Sequence, residues 1–267
     1  MKKFIALSAA LFVVFNLAGY CQKLPKVQTE SVRAPIDVTV DGQTTEWNSG
    51  FEAYNNSTQV FYIMANNDNN LYLVIQATDN LVIRKIIAGG ITLHINNSAN
   101  PKDKGGVSVT YPLFNNKNWP IINLGDRKFA TSARLGQRDS FKVASNTELN
   151  KHAKDIKIIG VKALPDTLIS VYNDEGVKAA SQFDRDIKYT YELGLPLKYL
   201  GLSVDDPTPF SYTVTLNGSS FAEGTTIESI AGGTRVTSNG SKVVPIPDMQ
   251  FIQSPTYFSG TYVLVKK

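Results

Sequence analysis

Gln59-Val60-Phe61-Tyr62-Ile63-Met64-Ala65, then Asn66-Asn67-Asp68-Asn69-Asn70, then Leu71-Tyr72-Leu73-Val74-Ile75-Gln76-Ala77 is the stretch on which the fold turns. Two runs rich in aromatic and branched residues flank an unbroken series of Asn and Asp. Those two residue types tolerate left-handed backbone and bond to nearby peptide groups, so they suit a tight reversal. The stretch reads as a β-hairpin. Both faces of each run are largely apolar, which places the two strands centrally in a sheet covered on both sides.

Strand patterns continue in both directions. Ile36-Asp37-Val38-Thr39-Val40 alternates and ends on the turn dipeptide Asp41-Gly42. Ile91, Leu93 and Ile95 alternate with Thr92, His94 and Asn96, which predicts a half-buried strand with one polar face. Further strands are expected over 156–164, 167–172, 188–195, 210–216 and 261–265, with Tyr189, Tyr191, Leu193 and Leu195 on one face. One short helical turn is expected at Pro196–Leu200, with Pro at its start and Gly201 just past its end. No longer helical periodicity is read beyond the N-terminal leader. Many short strands, Asn/Gly/Pro turns and almost no helix imply an all-β sandwich or barrel. Residues 100–155 interrupt the pattern as a long loop-rich insertion. They carry ten Lys and Arg against five acids, about +5, together with Tyr111, Phe114, Trp119, Phe129 and Phe141. Such elaborated loops are where binding sites tend to lie.

The first residues have another character. Lys2 and Lys3 precede an apolar run from Phe4 to Ala18, broken only by Ser8 and Asn16, and small and polar residues follow. That order is the pattern of a secretory signal peptide, and the run is too short for a permanent membrane span. The expected organisation is a signal peptide over 1–21 and a single domain over 22–267. The exported location is periplasmic, cell-surface or secreted. Cys21, the only cysteine, has two readings. Cleavage after it leaves Gln22 at the new terminus; acylation of it makes a lipoprotein, although Tyr20 stands where that processing wants a small residue. If Cys21 leaves with the leader, disulfides and thiolate metal sites are excluded. Without Lys2 and Lys3 the net charge falls from +4 to about +2, which argues against a dedicated nucleic-acid binder.

Four short features, in order, resemble family 9 carbohydrate-binding modules and their DOMON-like relatives. They are Ala34-Pro35-Ile36 with Val40-Asp41-Gly42 and Glu46-Trp47; the hairpin Val60-Phe61-Tyr62 to Asn70-Leu71-Tyr72-Leu73-Val74, closing on Asp79; Tyr191-Glu192-Leu193-Gly194-Leu195-Pro196 running to Leu200-Gly201; and Pro255-Thr256-Tyr257-Phe258-Ser259-Gly260-Thr261-Tyr262-Val263-Leu264. The resemblance spans 34–267 and implies an antiparallel, jelly-roll-like β-sandwich. It also implies a sugar clamped between two tryptophans, one beyond the Asp79-like position and one before the closing strand. Here the first region reads Asn80-Leu81-Val82-Ile83-Arg84-Lys85, without an aromatic residue, and Ile252 stands at the second.

Candidate chemistry follows from what remains. The only histidines are His94 and His152, and no Gly-x-Ser-x-Gly, His-Glu-x-x-His or phosphate-loop motif occurs. Asp184/Asp186 and Asp205/Asp206 are carboxylate pairs of the type glycoside hydrolysis uses, yet Asp205-Asp206-Pro207 reads better as a turn and Asp184-Arg185-Asp186 as an exposed approach to a strand. No cofactor is expected, although a structural calcium could use the hard oxygens of Asn66–Asn70 or of Asp174 and Glu175. Trp47 is assigned to packing. Trp119, between Asn118 and Pro120, is the better candidate to stack on a sugar face. Tyr257 and Phe258, beside the second clamp position, could substitute for the missing tryptophan, and Arg84 could reach the same pocket. The leading expectation is a non-catalytic carbohydrate-binding protein, its partner a carbohydrate or cell-envelope glycan. Set against it are a cell-envelope scaffold for protein contacts and, more distantly, a glycan-processing enzyme.

Overall fold

The computed structural model describes residues 23–47, 50–96, 105–114, 119–125, 134–164, 167–219, 225–230, 233–238 and 249–267; the expected signal peptide, with Cys21, lies outside them. Two short strands, β1 (Val32–Arg33) and β2 (Ala53–Asn55), precede the hairpin of β3 (Val60–Asn66) and β4 (Asn70–Ala77). The Asn reversal closes as its chemistry predicts. Asn67 Oδ1 accepts from the Asn69 and Asn70 amides at 2.9 and 2.8 Å, replacing the ladder bonds the chain gives up in turning.

Helix α1 (Asn80–Gly89) follows, then β5 (Ile91–Asn96), β6 (Val107–Tyr111), helix α2 (Leu135–His152), β7 (Asp155–Ile159) and β8 (Leu168–Ser170). Next come β9 (Lys178–Phe183), β10 (Tyr189–Pro196), the single turn α3 (Leu197–Leu200) and β11 (Phe210–Leu216). The chain ends with β12 (Thr225–Ile230), β13 (Gly233–Ser238), α4 (Met249–Gln253) and β14 (Thr256–Tyr262). One sheet has the order β1-β3-β4-β10-β9, with β2 also on β3; the other runs β14-β11-β5-β6-β7-β8. The pairings in both are antiparallel except β1 with β3. β12 and β13 pair separately.

The chain is thus an all-β sandwich, and the apolar character of both faces of β3 and β4 has a direct cause. One face, with Tyr62, Met64, Leu73 and Ile75, meets Leu93, Val109, Tyr212 and Val214 of the opposite sheet in the main core. The other face, with Ile63, Ala65, Tyr72 and Val74, is covered by Ala34 and Trp47 in a second, smaller cluster. The segment 34–47 is therefore a flap over the outside of the first sheet. It lies flat because Glu192 of β10 accepts from the Asp41 amide (2.9 Å), the Gly42 amide (2.8 Å) and Trp47 Nε1 (2.9 Å). Gly42 is required there: its φ is +85°, and a Cβ would stand 2.8 Å from the Gln182 nitrogen.

Several expectations need correction. Residues 36–40 form no strand; they belong to the flap, whose Asp41 and Gly42 amides bond a side chain, Glu192, in place of a neighbouring strand. Three helices are not read from the sequence: α1, α2 and the short α4. α1 is capped by Asp79, whose Oδ1 accepts from the Leu81 and Val82 amides, but its Val and Ile content resembles a strand. α2 buries only Phe141, Ser145 and Leu149, a stripe one residue wide that gives little periodicity. The insertion over 100–155 accordingly contains β6 and α2 and is not simply loop. The closing strand begins at Thr256, five residues earlier than expected, while the turn at 197–200 ends on Gly201 in the left-handed region as predicted.

Candidate functional site

Segment 119–125 is held from two sides. Arg84 of α1 donates to the Gly125 carbonyl at 2.7 Å, and Asn80 Nδ2 donates to the Leu124 carbonyl at 3.1 Å. From the other side, Glu148 of α2 accepts from the Ile121 amide at 2.9 Å. The result is a ledge fixed between two helices. It carries Trp119, which is 45% exposed and packs edge-on against Phe114, with ring centroids 6.0 Å apart. Between the ledge and α2 runs an open groove of about 800 Å³, lined by Ile121, Asn123, Arg134, Gln137, Ser140 and Phe141 among others. An apolar floor with amide and hydroxyl groups along it can hold a ligand that presents C–H faces and hydroxyls together.

The four residues singled out from the sequence fall into different places. Trp119 stands on the ledge, and Arg84 supports it: the guanidinium bonds main chain of the same segment. Tyr257 is 65% exposed on β14, opposite Thr215 of β11. Phe258 faces the other way and is only 5% exposed. Its ring lies 4.5 Å from that of Tyr62 and 6.4 Å from that of Tyr212. Phe258 is core, because neighbours along a strand point to opposite faces, so it offers no face to a sugar. Ile252, at the expected second clamp position, is buried too.

Lys85 went unnoticed in the sequence and is the most unusual group near the site. It is fully buried on α1, donates to Thr256 Oγ1 at 3.0 Å, and lies 4.5 Å from the centre of the Phe251 ring. No carboxylate pairs with it among the described residues. Burial lowers its pKa to about 8. Arg84 and Lys85 thus tie α1 to the Trp119 ledge on one side and to the start of β14, next to Tyr257, on the other.

The remaining candidates have local partners. His94 Nδ1 lies 2.8 Å from Ser108 Oγ on the outer face of the second sheet, and His152 lies 3.6 Å from Glu148 one turn earlier on α2. Asp184 accepts from the Asp186 and Lys188 amides, and Asp206 caps Thr208. Asp205 pairs with Lys266 at 2.6 Å. Glu175 accepts from Tyr199, and the side-chain oxygens of Asn66 and Asn67 are filled by donors of the protein itself. Among the described residues no three His, Cys, Asp or Glu side chains gather as a metal site, and no helix is long and apolar enough to cross a membrane.

No family model matches the chain, and no curated protein matches it significantly. Among solved structures, a family 9 carbohydrate-binding module from Caldicellulosiruptor kristjanssonii in complex with glucose is similar at 9% sequence identity. That match covers 89% of this chain and 96% of the module, with a TM-score of 0.37.

Proposed function

We propose that the chain is an exported, non-catalytic domain that binds carbohydrate in the groove beside Trp119. One observation carries the reading: a half-exposed tryptophan stands on a segment bonded to two helices, and the same segment, through Ile121 and Asn123, lines a groove that mixes apolar groups with amide, hydroxyl and guanidinium groups. An indole face stacks on the C–H face of a sugar. A ledge fixed in advance loses little conformational freedom when the ligand arrives. Asn123, Gln137 and Ser140 supply donors and acceptors for sugar hydroxyls. Export rests on the leader, and a cell-envelope or extracellular glycan is the ligand such a location supplies.

A glycan-array screen of the protein beside its Trp119→Ala variant tests this. Binding to a defined sugar that the variant loses supports the reading. Silence across the array, or binding that the variant keeps in full, removes it. A specific observation favours a second reading, a scaffold for protein contacts. Ile121 on the ledge is exposed, as are Leu135 and Val143 on α2, and large apolar side chains left in water on neighbouring segments are what a protein partner would cover.

A further inference from the structure

Strand pairing places one residue from each of five strands of the first sheet in a single row across its outer face. Tyr54 of β2 stands opposite Phe61 of β3, and Phe61 opposite Gln76 of β4. Gln76 in turn stands opposite Thr190 of β10, and Thr190 opposite Gln182 of β9. At the usual strand spacing the row is roughly 19 Å long. The neighbouring row, Ile63, Val74 and Glu192, is buried under the flap. This one is left half-exposed, apart from Thr190. It carries no charged side chain. Its two aromatic rings lie together, 4.7 Å between centroids, with Phe51 5.8 Å from Phe61. Few charges and gathered aromatic rings are the composition of a binding patch, not of free surface.

At its β9 end the row drops into a pocket of about 140 Å³, bounded by the flap turn at Gln43 to Thr45 and by Lys142 of α2. Gln76, Thr190 and Gln182 line it together with Asp184. Gln76 Nε2 donates to Thr190 Oγ1 at 3.2 Å, and Gln182 Nε2 donates to the Asp41 carbonyl at 2.8 Å. Among the described residues, nothing donates to the two amide oxygens, the Thr190 hydroxyl has no acceptor, and Lys142 has no carboxylate partner. Open donors and open acceptors therefore stand side by side in one small pocket.

We infer that this row is a binding surface for an oligosaccharide, its end sugar in the Gln76–Thr190–Gln182 pocket and its next units laid across β3 and β2 on Phe61 and Tyr54. A sugar hydroxyl both donates and accepts, so one ring of hydroxyls meets amide oxygens, a hydroxyl and an ammonium at once. A simple anion would suit Lys142 but would face two amide oxygens and the Asp184 carboxylate. An apolar segment would leave all of these groups unpaired. The aromatic pair suits the C–H faces of the following sugars, and the length of the row suits a chain better than a single sugar. The pocket shares no lining residue with the Trp119 groove, so this surface goes beyond the ledge reading and does not depend on it.

The test is calorimetric titration of the full chain, of Gln76→Leu and of Tyr54→Ala with cellotetraose, xylotetraose and mannotetraose, and with glucose, xylose and mannose. At least one tetrasaccharide should bind the parent, and its monosaccharide should bind roughly tenfold or more weakly. Each substitution should weaken the tetrasaccharide roughly fivefold to tenfold. Gln76→Leu should weaken the monosaccharide as well, whereas Tyr54→Ala should leave it unchanged, since only the pocket holds the end sugar. Both positions are half-exposed, so thermal melts should stay near the parent; if one variant unfolds, the other decides. No tetrasaccharide binding, a monosaccharide that binds as tightly as its chain, or affinity that neither substitution changes overturns the inference. A ligand that Trp119→Ala loses and both row variants keep belongs to the ledge and counts against the row, so the two sites fail separately.

Discussion

The indole Nε1 of Trp47 donates to Glu192 Oε1 at 2.9 Å, joining residues 145 positions apart. The other carboxylate oxygen takes the Asp41 and Gly42 amides. One side chain therefore satisfies three donors of a flap that makes no ladder bonds of its own there. Trp47 in turn lies edge-on to Tyr72, 6.2 Å between centroids, on the outer face of β4. The second, smaller core depends on this anchor.

Glu192→Gln should lower stability by about 2–4 kcal/mol. An amide keeps one acceptor for Trp47 but turns its NH2 toward two backbone N–H groups, which lose their partner. The change reads out in urea denaturation followed by Trp47 fluorescence. A loss below half a kcal/mol would show that the flap is held by packing alone.

The same carboxyl sets a pH dependence. Burial pushes its pKa up from 4.5 to about 7, with the three N–H donors pulling it back. A folded-state pKa above the unfolded one means that the native state holds the proton more tightly. Its contribution is therefore complete below about pH 4.5 and is lost as pH rises through about 7. Stability curves of the parent and Glu192→Gln over that window should differ in slope, the parent falling more steeply; parallel curves would contradict this.

Trp119 and Phe258 are both binding candidates in the sequence, at different places, and their substitution should separate them. Trp119→Ala should change stability by less than about 1 kcal/mol, since nearly half the ring is already in water, and should abolish sugar binding. Phe258→Ala empties a core position against Tyr62 and Tyr212 and should cost about 3–5 kcal/mol. Thermal melts and array binding of both variants check the contrast.

That contrast marks where the sequence is legible. The Val60–Ala77 hairpin was readable because its turn chemistry and strand patterns are local and agree. Phe258 was misplaced because its register was: with the closing strand starting at Thr256, Tyr257 faces out and Phe258 in. α2 was hidden because three buried residues over five turns make almost no stripe. The flap was hidden for another reason. Asp41, Gly42 and Trp47 look like a strand end and a packing residue until Glu192 is brought beside them, and no local pattern encodes a partner that distant. The Trp119 ledge shares the difficulty, since its supports come from Asn80, Arg84 and Glu148 on two helices.

Asn66 should prove structural rather than metal-binding. Its Oδ1 accepts from the Val265 amide at 2.9 Å and from Tyr262 OH at 3.2 Å, while its Nδ2 donates to the Val265 carbonyl at 2.9 Å. These bonds tie the C-terminal residues to the end of β3. Asn66→Ala should cost about 2–3 kcal/mol. EDTA should leave the parent melting temperature unchanged, and a fall on chelation would restore the calcium reading.

Lys85 supplies the prediction with the opposite sign. Its pKa is lowered from 10.5 to about 8 by burial, so between those values the unfolded chain holds a proton that the folded one has released. Stability must then rise as pH climbs from about 8 toward 10.5. Below pH 8 the fold carries a buried ammonium supported, among the described residues, by the Thr256 hydroxyl and the Phe251 ring. Methionine fills nearly the same space without the charge, and its sulfur can pack against Phe251. Lys85→Met should therefore stabilise the protein at pH 7, on the order of 1–2 kcal/mol, and flatten the alkaline rise. Destabilisation at pH 7 would mean that the ammonium makes a contact worth more than its desolvation. Such a residue would be held for a ligand that meets it between α1 and β14, and sugar binding by Lys85→Met would become the measurement to make.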